Sequence, residues 1–200
     1  MTGIVLMGKW GWSAWIGSAL LLGGAAVFGW FAWVCYEASA AQQLAREWLS
    51  RPPRIQIRAA RPAAPLATLH PGDVLGELSV PRLHLSVMVR EGDDARILSF
   101  GAGHIPGTAL SPGDGNIAIA AHRDTFFRPL RAIRRDDVVT LRTPRGVSRF
   151  AVSDVEIVGP RDIGVLSPAP GRDLTLVTCY PFWYLGSAPR RFIVHARRVA

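Results

Sequence analysis

From Trp10 to Tyr36 the chain runs 27 residues without a charged side chain. No other segment constrains the fold as strongly. About 20 apolar residues rising ~1.5 Å each cross the ~30 Å hydrocarbon core of a bilayer, so this run spans with room for tilt. Five of the seven tryptophans lie in it, Trp10, Trp12 and Trp15 at one end and Trp30 and Trp33, with Tyr36, at the other. Aromatic belts of this kind mark membrane–water interfaces. A buried core helix is the competing reading, but such helices are rarely apolar on every face over this length. The run also exceeds the ~7–15-residue apolar region of a cleavable signal peptide. A retained anchor is therefore favoured, although Ala38-Ser39-Ala40 has the small-x-small form of a cleavage site. Lys9 precedes the span and Arg46, Arg51 and Arg54 follow it, so the basic residues give no support for a cytoplasmic N-terminus.

After the span, Ala40, Ala41, Leu44, Ala45, Trp48 and Leu49 have helix-like spacing between Glu37 and Ser50. Arg51 to Pro71 then holds prolines at 52, 53, 62, 65 and 71, arginines at 51, 54, 58 and 61, and no acid. Proline interrupts both helix and sheet hydrogen bonding, so this reads as a semi-rigid spacer. Its arginines either lie along anionic headgroups or are simply solvated. The chain thus divides into an N-terminal segment and anchor (1–36), a juxtamembrane helix and Pro/Arg-rich linker (37–72), and a folded domain (73–200).

The whole chain carries 23 basic and 15 acidic residues, a net charge of +8 that would also suit a nucleic-acid protein. Residues 73–200, however, hold 17 arginines and 13 acids, a net of +4, so half the excess belongs to anchor and tether. Nothing in this segment resembles a recognition helix, a base-stacking sheet or a zinc finger. Membrane lipid, met by the N-terminal helix, is the expected partner, and nucleic acid is not.

The 73–200 segment reads as all-β. Short β-prone runs occupy Val74 to Val80, Leu83 to Val89, Asn116 to Ala121, Val138 to Leu141, Phe150 to Val158, Leu174 to Thr178 and Phe192 to Ala196. Between them stand turn signals such as Pro112-Gly113-Asp114-Gly115, Pro144-Arg145-Gly146 and Pro170-Gly171. Only Asp93 to Phe100 and Phe126 to Ile133 look helical. Many short strands at this spacing predict a sandwich or a closed barrel.

With two cysteines, Cys35 and Cys179, a disulfide-dense scaffold and a cysteine-only zinc site are excluded. No metal site or cofactor is indicated. A lone domain cysteine is most often a small buried apolar residue. Cys179 differs in its setting, because Tyr180-Pro181-Phe182 follows it and ends the β-run at a rim. A thiol there needs a base or a cationic neighbour to become a thiolate. Of the five histidines, His122 also ends a β-run, with His104 next in position. His84 and His195 lie within strands, where one face is readily solvated. Arg190 and Arg191 begin the last strand, where a hairpin-like return brings them beside the thiol, and arginine supplies a charged fork of donors for an oxyanion.

These residues carry a family resemblance. Thr175-Leu176-Val177-Thr178-Cys179, followed by Arg191-Phe192-Ile193-Val194, resembles the TLxTC…RxxV signature of sortases, membrane-anchored cysteine transpeptidases. Gly101 to Thr108 and Gly115 to Phe127 are similar to two further sortase segments, in the same order. Cys179-Tyr180-Pro181-Phe182 with Ser187-Ala188-Pro189 most resembles class D-like sortases, including the proteobacterial branch. The resemblance covers about Val74 to Val199 and implies an eight-stranded β-barrel with short helices. Residue by residue, it places the histidine on His122, the nucleophile on Cys179 and the arginine on Arg191, which leads the R-x-x-V pattern. Asn116, Asp124 and His104 are supporting candidates. Two departures stand out: Ala121 where a glycine usually precedes the histidine, and Ala102 where proline is common. The added methyl before His122 is expected to crowd the pocket.

The implied reaction is a two-step acyl transfer. Cys179 attacks the Thr–Gly bond of an LPxTG-like C-terminal sorting signal on a protein substrate, and an amine from elsewhere then takes the acyl group. Thr178 and the Gly159–Arg172 loop, through Ile163, Val165, Leu166 and Pro168, are expected to line an apolar substrate groove. The domain is expected outside the cytoplasmic (inner) membrane, held by a single pass. The alternative from another class is a non-catalytic, membrane-tethered β-barrel that binds peptide tails or scaffolds envelope proteins.

Overall fold

The structure is a computed structural model that describes residues 10–50 and 69–199. Expectations resting on Lys9, and on the linker as far as residue 68, lie outside the described residues. Two compact units meet at the Ala40–Ala41 bond. Helix α1, Trp10–Ser50, continues past Glu37 without a break, and neither glycine nor proline occurs between Gly29 and Ser50 to interrupt it. The helical spacing after Glu37 is therefore a continuation of α1 rather than a separate element. The helix ends just ahead of Arg51-Pro52-Pro53, where residues preceding proline disfavour helical backbone. Within α1 the stretch Trp15–Glu37 has 23 residues of mean hydropathy 1.7, long and apolar enough to cross a membrane, and its large side chains are exposed.

Eight strands follow: β1 (Val74–Val80), β2 (Leu85–Glu91), β3 (Ala102–His104), β4 (Ile117–Ala120), β5 (Val138–Thr143), β6 (Gly146–Val158), β7 (Leu174–Tyr180) and β8 (Arg190–Arg198). They form a closed barrel in the order β1-β2-β3-β4-β7-β8-β6-β5, with β5 pairing back to β1. The pairs β2/β3 and β4/β7 are parallel; every other pair is antiparallel. Alternate side chains fill the interior: Leu78 and Val80, Val87 and Val89, Ile117 and Ile119, Val139 and Leu141, Leu174 and Leu176, Val194 and Ala196. Phe127 and Leu130, on the β4–β5 connection, complete this cluster. Burying such a side chain contributes roughly 1.5–3 kcal/mol.

The strand expected over Leu83 to Val89 starts and ends two residues later, after a single 3-10 turn at Pro81–Leu83. Strand β3 has no counterpart among the expected runs, since three residues are too short to show a period of two. Its close approach requires glycine, because a Cβ on Gly103 would lie 2.1 Å from the Gly92 carbonyl oxygen. Helix α2, Ala95–Phe100, begins where Asp94 accepts from the Ile97 N–H at 2.9 Å, an N-cap. Phe126 to Ile133 shortens to a 3-10 turn, Arg128–Ala132, with Pro129 in its first turn.

Two polar contacts fasten parts of the second unit. Buried Gln42 donates to the Phe100 carbonyl at 2.5 Å and accepts from the Met88 N–H at 2.7 Å, so one amide satisfies two backbone groups. Arg82 grips both oxygens of the nearly buried Asp137 carboxylate, which also accepts from the Arg134 N–H at 2.7 Å. The Arg82 hydrogen bond outweighs burial and holds the Asp137 carboxyl below the ordinary carboxylate range. A lowered folded value stabilises above the unfolded value of ~3.9, and that stabilisation is lost as pH falls through the folded value. Thermal unfolding from pH 7 to pH 2 is expected to show this acid-dependent loss in the unmodified chain. In Asp137→Asn the melting temperature starts lower and depends less on pH below 4, and an unchanged profile would contradict the assignment.

Candidate active site

Strand β7 sets the geometry of the rim. Leu174 and Leu176 enter the interior cluster, so strand alternation turns Thr175, Val177 and Cys179 to the outer face. In the β7/β8 ladder Cys179 stands opposite Arg191, Val177 opposite Ile193 and Thr175 opposite His195. On β6, Val158 pairs with Arg191 and extends the same level by one strand. On the other flank β4 runs parallel to β7, with Ala118 beside Thr175 and Ala120 beside Val177. The Ala121 N–H donates to the Val177 carbonyl at 3.2 Å and carries that register one residue further. His122 therefore emerges on the same rim as Cys179, from the neighbouring strand. Three strand ends bring together a thiol, an imidazole and a guanidinium that are 57 and 12 positions apart in sequence (179 − 122 and 191 − 179).

Cys179 is a free, half-buried thiol. His122 is half-buried, and no hydrogen bond to another described residue engages its ring. Its carbonyl accepts from the Phe127 N–H at 3.0 Å, closing the turn that follows. Arg191 donates from Nη1 to the carbonyls of Ala188 and Arg190 at 3.2 and 3.1 Å. No carboxylate among the described residues pairs with it, so its remaining donors are open to an anion. Arg123 binds the Tyr184 and Gly186 carbonyls, tying the turn after His122 to the β7–β8 connection. On the inner side, Tyr180, Phe182 and Phe192 pack ring against ring, with centroids 5.1–6.3 Å apart, and close the barrel beneath the thiol. A thiol flanked by a titratable base and a fixed cation is suited to nucleophilic acyl transfer. Among the described residues no three His, Cys, Asp or Glu side chains cluster as metal ligands.

Residues 78–199 match the family model for the Sortase domain. The chain belongs to the sortase family. It is 32% identical over 129 residues to Sortase D of Bacillus subtilis, covering 64% of this chain and 65% of that protein, in accord with a class D-like sortase. It is 28% identical over 132 residues to Sortase A of Streptococcus agalactiae, covering 62% and 52%. The chain thus spans less than two-thirds of the length of these curated relatives. Among solved structures, sortase C from Clostridium perfringens is 29% identical with a TM-score of 0.59, over 66% of this chain and 73% of that one. A structure titled as Clostridium perfringens sortase C with the C-terminal cell wall sorting motif is 28% identical with a TM-score of 0.61, over 70% and 79%.

The other residues singled out in this sortase are spread around the barrel. His104 is 2% exposed, with Nδ1 at 2.9 Å from Glu91 Oε2 and Nε2 at 3.0 Å from Thr108 Oγ1 and 3.1 Å from the Ala109 carbonyl. Both ring nitrogens are engaged, so it cross-links β2, β3 and the next loop. Thr178 faces inward, and its hydroxyl donates to the Ala121 carbonyl at 2.7 Å, which secures the residue before His122 and leaves Thr178 no open face. Asp124 is exposed in the turn after His122. Of the β6–β7 loop, Val165 is buried, Leu166 is half-buried, and Ile163 and Pro168 are exposed. Buried Asn116 donates to the Leu166 carbonyl at 2.9 Å. The methyl of Ala121 joins the interior cluster, so it points away from the outer face and does not crowd His122.

His195 is the residue that sequence reasoning placed least well. It is 1% exposed rather than solvated, and lies between Thr175 and Glu156. The outward period of Thr175, Val177 and Cys179 could have flagged it, but only with the β7/β8 register in hand. Denaturant unfolding separates the two histidines of the site region. His104→Ala is expected to cost roughly 2–4 kcal/mol by orphaning buried polar partners, whereas His122→Ala stays within about 0.5 kcal/mol. Equal costs would contradict this division.

Proposed function

We propose that this sortase is a membrane-anchored cysteine transpeptidase acting on an LPxTG-like C-terminal sorting signal. The observation that carries the reading is the convergence of Cys179, His122 and Arg191 on one outward rim of the barrel. The Cys179 thiolate attacks the threonine carbonyl carbon of the Thr–Gly bond. A tetrahedral oxyanion forms, and Arg191 lies in the cross-strand position from which its free donors meet it. The carbon–nitrogen bond then breaks as His122 gives its proton to the leaving amine, and a thioester to Cys179 remains. An incoming amine attacks that thioester, His122 takes a proton from it, and the thiolate departs. The acceptor comes from outside this domain, since Lys9 is the chain's sole lysine.

The apolar stretch Trp15–Glu37 supplies the anchor, in a single pass of the cytoplasmic (inner) membrane with the barrel on the outer side. Sorting signals are displayed there, so topology and chemistry support one another in this reading. The half-buried thiol has access from outside and a barrel wall behind it.

Steady-state turnover of a fluorogenic LPxTG-type peptide tests the assignment. Cys179→Ala and His122→Ala are expected to abolish turnover, and Arg191→Ala to lower kcat by about 10²–10³-fold, the loss typical of one oxyanion donor. Wild-type turnover retained in Cys179→Ala would contradict the assignment of the nucleophile, and a folded unmodified chain that only binds the peptide would favour a non-catalytic barrel.

A further inference from the structure

We propose that Asn116, Thr175 and His195 are positioning residues whose buried relay pins the 163–166 turn as the far wall of the Cys179 groove. This rests on Cys179 being the acyl-transfer nucleophile. The floor of that groove is the outer face of β4, β7 and β8. Between the relay and the reactive rim it presents small or apolar side chains, the half-buried Ala120 and Val177. Ala118 and Ile193 are 0% and 1% exposed yet stand outside the interior cluster, so something covers this face. The β6–β7 connection is fastened beside it, at the residue that precedes β4. Val165 is 7% exposed and its neighbour Leu166 is bonded to Asn116.

The relay is continuous. Asn116 Nδ2 donates to the Leu166 carbonyl at 2.9 Å, which fixes the orientation of the amide. Asn116 Oδ1 then accepts the Thr175 hydroxyl proton at 2.9 Å. Having given that proton away, Thr175 Oγ1 accepts from His195 Nδ1–H at 3.0 Å. His195 Nε2 meets Glu156 Oε1 at 2.8 Å, and Arg172 approaches the same oxygen at 3.7 Å. Asn116, Thr175 and His195 are 2%, 0% and 1% exposed, so the two bonds among them lie out of water, where an unmade partner is costly.

What the relay holds is a segment with few other supports. Beyond Leu166 the connection is tied by Ser153 to the Gly171 carbonyl at 3.2 Å and by the Ile117 N–H to the Asp173 carbonyl at 3.0 Å. From Gly159 to Val165 the hydrogen bonds among described residues are all local, such as Asp162 N–H to the Gly159 carbonyl at 3.3 Å. The Asn116–Leu166 bond is therefore the first fixed point after the chain leaves Val158 at the reactive rim. Thr175 is four residues from Cys179, about 13 Å along an extended strand. A donor whose scissile carbonyl meets Cys179 and which follows the groove would reach this wall about four residues from the bond that breaks. The wall thus bears on how the donor is held and leaves the reacting carbonyl untouched.

Steady-state kinetics of the full chain in detergent micelles, with an LPxTG-type peptide, tests this against a purely structural role. Asn116→Ala and Asn116→Asp, which both remove the donor to Leu166, are expected to raise KM about tenfold, the factor that corresponds to about 1.4 kcal/mol. Their kcat stays within about twofold. Alkylation of Cys179 by iodoacetamide, which needs no groove, is expected to keep its rate. Thr175→Val raises KM likewise and Thr175→Ser returns it to the unmodified value, a pair that decides the matter should the Asn116 variants not fold. The proposal is overturned if folded variants keep the unmodified KM. It is equally overturned if the rise in KM comes with losses of kcat and of alkylation rate that track the fall in melting temperature. An unmodified chain that turns over no peptide overturns the acyl-transfer reading itself and this proposal with it, a result recognisably different from the other two.

Discussion

The parallel pairing of β4 with β7 governs everything that happens at the rim. Parallel neighbours run out at the same end of a sheet, so the residue after β4 and the last residues of β7 emerge side by side. The antiparallel β7/β8 ladder then begins β8 at that level and sets Arg191 across from Cys179. Had β4 met β7 antiparallel, its C-terminal end and His122 would lie at the opposite mouth of the barrel. Closure of the sheet makes the arrangement stiff, because no edge strand is left to slide. The interior cluster holds the register, since a slip of one residue would turn Leu174 and Leu176 outward and Cys179 inward.

The two faces of β7 divide the labour. Its inner residues, Leu174, Leu176 and Thr178, serve the barrel, the last through its bond to the Ala121 carbonyl. Its outer residues, Thr175, Val177 and Cys179, form a graded line from a fully buried hydroxyl to a half-buried thiol. Polar groups at the buried end are satisfied by one another, whereas at the open end His122 and Arg191 keep capacity for a reacting group. At the buried end Asn116 joins the Thr175 hydroxyl to the Leu166 carbonyl of the β6–β7 connection.

Much of this was legible in the sequence where period and punctuation agree. Alternation between Gly and Pro turns located all strands but β3, and the uncharged run from Trp10 located the apolar helix. Cys179 and His122 were found because each closes an apolar run, a local property. What the sequence hid depends on pairing. Thr175 and His195 are 20 positions apart, and neither residue signals that it will face the other across a ladder. A groove position for Thr178, expected from its place beside Cys179, fails because strand alternation sets the two on opposite faces. His104 stands next to His122 by position along the chain, but Glu91 reaches it only because β2 and β3 are parallel neighbours.

Acyl transfer at this rim requires a covalent bond between Cys179 and its donor. Intact-mass analysis of the full chain after brief incubation with an LPxTG-type peptide, in the absence of added amine, tests that most directly. A species heavier by the acyl fragment ending at threonine, mapped to Cys179 and absent from Cys179→Ala, is the predicted result. A folded chain that stays unmodified beside intact peptide would contradict it.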